Sequence, residues 1–130
     1  MPPSNSSWKI VFVYNAEKGF FNALTDTAHK IFSPSTYECS LCRFTYGLTG
    51  MLMPWKRFID SLDVRPAFFH RSEFRKAYPD FAVSLPVVFR ERQGRREIVL
   101  SAQQIAATGS VDALISAVKD QLAELDKSST

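Results

Sequence analysis

Leu85-Pro86-Val87-Val88-Phe89-Arg90, then Gln93-Gly94, then Glu97-Ile98-Val99-Leu100 reads as a β-hairpin. Two runs rich in β-branched and aromatic residues flank a turn dipeptide, which is the hairpin pattern. A proline opens the first of the two strands, where a missing N–H breaks no ladder. Downstream, Ser101 with Gln104 three residues on forms a capping box that opens a helical turn, and Gly109 closes it. Ser110 then caps a last helix, on which Leu114, Val118, Leu122 and Leu125 make an apolar stripe. Upstream, Arg71 to Tyr78 reads as a short helix and Val64 to Phe69 as a strand. Pro66 inside that strand assigns it to a sheet edge, because an edge tolerates a lost donor.

The N-terminal half begins with Trp8-Lys9-Ile10-Val11-Phe12-Val13-Tyr14, nearly continuous in apolarity, as a strand covered on both faces must be. Asn15 to Gly19 breaks it. A helix is expected over Phe20 to Phe32, with Phe20, Leu24, Ala28, Ile31 and Phe32 on one face, until Ser33-Pro34 ends it. Residues 35–53 form a long connection that is too apolar for a free linker, with Tyr37, Phe44 and Tyr46 to pin it to the body. Pro54 opens a second short helix that turns Trp55, Phe58, Ile59 and Leu62 inward. The order is therefore β-α-insert-β-α-β-β-α. One domain is expected over residues 8–126, with tails at 1–7 and 127–130, and no internal repeat is visible.

At 130 residues the chain is long enough for one domain with its own core. Eleven phenylalanines argue for a core of large side chains and against disorder. No apolar run reaches the roughly 20 residues that a membrane helix needs. The polar, proline-bearing start is not a secretory signal, so the cytoplasm is the expected compartment. Net charge is +3. Arg65, Arg71, Arg75 and Lys76 form one basic group and Arg90, Arg92, Arg95 and Arg96 another, but Glu91 and Glu97 interrupt the second. A solvated surface, not a nucleic-acid groove, is the expectation.

Both cysteines of the chain lie in Cys39-Ser40-Leu41-Cys42. Two intervening residues let the sulfurs form a disulfide, share a metal, or alter each other's acidity. In the redox reading His29, in the last turn of the first helix, is the nearby cation, with Asp26 three residues back to orient its ring. The metal reading uses Cys39, Cys42 and His29 for zinc. It lacks a fourth ligand unless Glu38 serves or two chains of a homodimer share the ion through paired motifs. His70 ends the second strand and is expected far from His29. In the third reading the two cysteines pack as small hydrophobes and anchor an aromatic-rich loop. No GxxxxGK[ST], GxGxxG or GxSxG is present, so nucleotide-binding and hydrolase readings have no motif behind them.

The element order and the proline at the start of the third strand resemble the thioredoxin-like fold in its shorter, glutaredoxin-type form, over roughly Trp8 to Leu125. Tyr14-Asn15-Ala16 with Cys39-Ser40-Leu41-Cys42 and Thr45-Tyr46-Gly47 is also similar to a group of small bacterial proteins with a displaced CxLC motif. The resemblance implies an α/β domain with a four-stranded mixed sheet of order 2-1-3-4, flanking helices, and a CxxC-bearing insert after the first helix. It implies a cis peptide at Pro86 beside the thiols. It also implies thiol–disulfide exchange or redox sensing, with Cys39 attacking, Cys42 resolving and protein thiols or disulfides as partners. The chain departs from the family in one respect. The family's cysteines stand in the turn after the first strand, which here is Asn15-Ala16-Glu17-Lys18-Gly19. A helix of about 13 residues is about 20 Å long, so the pair is expected at the opposite end of the sheet from Pro86. The alternative function is a non-enzymatic binding or scaffold domain whose CxxC is structural or holds a metal.

Overall fold

Lys9–Val13 forms strand β1, and its alternating side chains divide the protein into two cores. Ile10 and Phe12 face one side and Val11 and Val13 the other, and all four are fully buried. The computed structural model describes residues 8–16, 39–47 and 50–128. The first helix expected over Phe20 to Phe32 lies outside them.

After β1 the described chain resumes with helix α1 (Ser40–Thr45), a small antiparallel pair β2 (Tyr46–Gly47) and β3 (Gly50–Met51), and helix α2 (Met53–Asp60). Strand β4 (Arg65–Phe69) and helix α3 (Arg71–Ala77) follow, then the hairpin β5 (Val87–Arg92) and β6 (Arg95–Leu100). Helices α4 (Ala102–Thr108) and α5 (Val111–Ser128) complete the described part. The main sheet has the order β4-β1-β5-β6. Counted over its four strands this is 2-1-3-4, the expected order, and with its flanking helices it makes an α/β fold of the expected class. β1 and β4 run parallel, while β5 is antiparallel to both β1 and β6.

Local chemistry explains the elements. Pro66 sits opposite Ile10 on the edge strand, as its missing donor requires. Gln93 and Gly94 both have positive φ, 52° and 84°, the conformation of a tight two-residue hairpin turn. Ser101 Oγ accepts from Gln104 N–H and Gln104 Oε1 accepts from Ser101 N–H, closing the capping box of α4. Gly109 ends that helix in the left-handed region at φ 80°. The Leu85–Pro86 peptide is cis.

The first core lies between the sheet and α1, α2, α4 and α5. Trp55 meets Phe12 edge-on at 5.4 Å between ring centroids, and Leu114 and Val118 of α5 are buried beside Ile105 of α4. Burying a side chain such as Phe12 fully is worth about 1.5–3 kcal/mol. The second core gathers Phe74 of α3 with Tyr78, Phe81 and Phe89 in a chain of edge and stacked ring contacts.

Three features differ from the expectation. The described part of the connection expected over residues 35–53 carries regular structure, because Leu41, Cys42 and Thr45 are buried at helical spacing. α5 continues to Ser128, two residues into the stretch assigned to a tail. The second basic group is largely neutralised. Arg90 is buried and bound to Glu97 and Asp126, Arg95 pairs with Glu97, and Arg96 pairs with Glu91. The guanidinium groups of Arg90 and Arg92 also lie over the Trp8 ring, 4.0 and 4.2 Å from its centroid. No helix among the described residues is long and apolar enough to cross a membrane.

Candidate functional site

Cys39 immediately precedes α1, and a disulfide joins it to Cys42 in the first turn of that helix. The two Cα atoms are 5.2 Å apart, within the ordinary range for such a bond. α1 is held to the end of β1 by a short polar chain. Thr45 Oγ1 donates to Leu41 O at 2.7 Å, and Tyr14 Oη lies 3.3 Å from the same Thr45 oxygen.

Two backbone N–H groups point at one sulfur. Asn15 N–H donates to Cys39 Sγ at 3.3 Å and Cys42 N–H donates to it at 3.2 Å. Among the described residues no comparable donor reaches Cys42 Sγ. The sulfurs are otherwise alike in setting, since Cys39 is 0% and Cys42 1% exposed. On reduction, a charge on Cys39 would therefore be met by two donors, while burial would disfavour a charge on either sulfur equally.

Asn15 fixes where the pair sits. Val13 faces Phe69 in the parallel direction and Val87 in the antiparallel one. Tyr14 and Asn15 therefore lie just beyond the pole at which β1 and β4 end and β5 begins. Pro86 precedes Val87 at that same pole. The expectation that the cysteines start at the opposite end of the sheet from Pro86 is thus overturned. It took the chain after the first helix to stay at the helix's far end. By Cys39 the chain is back against Asn15, across 24 residues of sequence.

The other predicted residues divide between described and not. His29 and Glu38, assigned to tuning the thiols or binding a metal, lie outside the described residues. Among the described residues no group of three or more His, Cys, Asp or Glu is placed to hold a metal ion. His70 follows β4 and so falls at the disulfide pole. Its Nδ1 is 2.8 Å from Glu73 Oε1, which also accepts from His70 N–H.

Sequence reasoning assigned no role at the cysteines to two residues. Asn15 appears there in a strand-to-helix turn and in the motif shared with the cysteines, with no contact to them assigned, and Arg71 only as one of a basic group. Arg71 N–H donates to Ala16 O at 2.9 Å and its Nη1 donates to Asn15 Oδ1 at 3.2 Å. A signal for both was available. A strand parallel to β1 must end at the same pole, so the residues that follow each strand become neighbours.

A cavity of about 310 Å³ lies at the other pole, between α2, α5 and the start of β4. Arg90 and Lys119 face Asp63 and Asp126 around it, and Arg90 is already bound to Glu97 and Asp126. Its charges are balanced internally and it is remote from the sulfurs, so no role is assigned to it. Comparison with family models, curated proteins and solved structures finds no match to this chain.

Proposed function

We propose that Cys39 and Cys42 are the working dithiol of a small thioredoxin-like protein that carries out thiol–disulfide exchange. The observation that supports this most is the pair of backbone N–H groups on Cys39 Sγ, since donors aimed at one sulfur favour the thiolate that exchange requires. In the reducing direction, the Cys39 thiolate attacks a substrate disulfide, forms a mixed disulfide and expels one substrate thiolate. Cys42 then gives its proton to solvent and attacks Cys39 Sγ, which releases the second substrate thiolate and restores the Cys39–Cys42 bond. Two electrons pass from the dithiol to the substrate, and an external thiol reductant such as a dithiol returns them. Pro86 has its structural role at the same pole. His29 retains the tuning role given by its sequence position. Protein thiols or disulfides in the cytoplasm are the partners of this reading. Both cysteines are buried, so exchange requires a local opening that exposes Cys39 Sγ to the partner's sulfur.

The same burial favours a second reading, a binding or scaffold domain in which the disulfide only anchors α1. Insulin reduction by dithiothreitol separates the two. Wild type is expected to accelerate it and Cys39→Ser to lose the acceleration. Equal rates in wild type, Cys39→Ser and the uncatalysed control would leave the scaffold reading standing.

A further inference from the structure

We infer that Arg71 is a positioning residue for Cys39, setting the acidity of its thiol through Asn15; the inference rests on the redox reading above. The peptide group whose N–H meets the sulfur is anchored on both sides. On one side Tyr14 N–H donates to Phe69 O at 3.0 Å and continues the β1–β4 ladder. On the other, Arg71 makes two contacts with the same dipeptide, its N–H to Ala16 O and its guanidinium to Asn15 Oδ1. One residue at the start of α3 thus fixes both Asn15 and Ala16, and with them the direction of the Asn15 N–H toward Cys39 Sγ at 3.3 Å.

The backbone contact is open to any residue with an N–H at position 71, whereas the guanidinium contact is the arginine's own. It brings a permanent cation to the carboxamide of the residue that donates to the sulfur. A nearby positive charge favours the ionised form of a thiol, and a fixed donor costs no reorganisation when that charge appears. The adjacent ionisable groups on the same helix start are His70 and Glu73, whose side chains meet at 2.8 Å. Arg71 brings its charge to Asn15 Oδ1.

The test is a titration of Cys39 in a Cys42→Ser background, followed by thiolate absorbance, with Arg71→Ala, Arg71→Lys and Asn15→Ala added. Cys42→Ser keeps the backbone N–H that faces Cys39. Arg71→Ala is expected to raise the Cys39 midpoint by about one pH unit, Arg71→Lys by less, and Asn15→Ala in the same direction as Arg71→Ala. A merely structural Arg71 would lower the melting temperature and leave the midpoint where it was, and that result overturns the inference. If Arg71→Ala does not fold, Asn15→Ala carries the test, because it removes the guanidinium's partner and keeps the Arg71 backbone anchor. An ordinary thiol midpoint in the parent Cys42→Ser protein would instead remove the redox reading, and this inference with it. A depressed parent midpoint that Arg71→Ala leaves unmoved would remove the inference alone.

Discussion

Reduction of the disulfide should reveal two unequal thiols, and the inequality can be worked from the geometry. Cys39 and Cys42 are equally buried, so the desolvation that opposes ionisation is nearly the same for both and cancels in their difference. The donors do not cancel. Cys39 Sγ receives N–H groups from Asn15 and Cys42, and among the described residues Cys42 Sγ receives neither. A hydrogen bond to a charged group contributes about 1.5 kcal/mol at the low end, so two give about 3 kcal/mol in favour of the Cys39 thiolate. At 1.36 kcal/mol per unit, the Cys39 midpoint should lie about two pH units below that of Cys42. Cys42→Ser and Cys39→Ser each leave one thiol, so thiolate absorbance against pH reads the two midpoints separately. In the reduced wild type, brief alkylation at neutral pH followed by peptide mapping should label Cys39 first. A Cys42 midpoint at or below that of Cys39 would refute the argument, because it would mean that the two N–H groups do not govern the ionisation.

Away from the disulfide, Arg90→Ala should cost about 1–3 kcal/mol in urea denaturation, because it removes a buried guanidinium from Glu97, Asp126 and the Trp8 ring while Arg95 still pairs with Glu97. Asp126→Asn, on the half-exposed arm of the same cluster, should cost less than about 1 kcal/mol. Burial pushes the Tyr78 phenol up to about 12, with the hydrogen bond to Glu91 and its charge adding and Arg96 opposing. A folded-state value above the ordinary 10 means that the folded protein holds this proton more tightly. The resulting stability is complete below pH 10 and is lost as pH rises from about 10 to about 12. Tyrosinate absorbance should show the late-titrating group, and Tyr78→Phe should flatten this part of the stability profile.

The sheet was legible because each strand carried its own evidence. The nearly continuous apolarity from Trp8 to Tyr14 required cover on both faces, and β1 contributes to both cores. Pro66 required an edge, and β4 is one. Gln93-Gly94 required a tight turn, and both residues have positive φ. The site was less legible, for two reasons. α1 has only six residues, too few to show a period, and its stability comes from packing, not from propensity. The link from Arg71 to Asn15 spans 56 residues of sequence and exists only because β1 and β4 are parallel neighbours. The contact between the residues beyond the strand ends depends on the register of that pair, which residue pattern alone does not give.

In the proposed exchange the Cys39 sulfur draws its N–H donors from a strand end and from a helix start, and nothing requires the helix to follow the strand directly. Here Asn15 supplies one donor and Cys42 the other, 24 residues separating Asn15 from Cys39. Even for a chain without internal structure, closing such a loop in place of a turn of about four residues adds only about 1.5 kcal/mol, because the entropy grows with the logarithm of length. Full burial of Leu41 alone is worth about 1.5–3 kcal/mol and offsets that cost, before the Tyr14–Thr45 contact is added. An insertion between strand and helix is therefore cheap wherever the helix has an apolar face to return to the sheet. Distance along the sequence is a poor guide to the pole at which a motif lies, and the residue two places past the first strand is a better one.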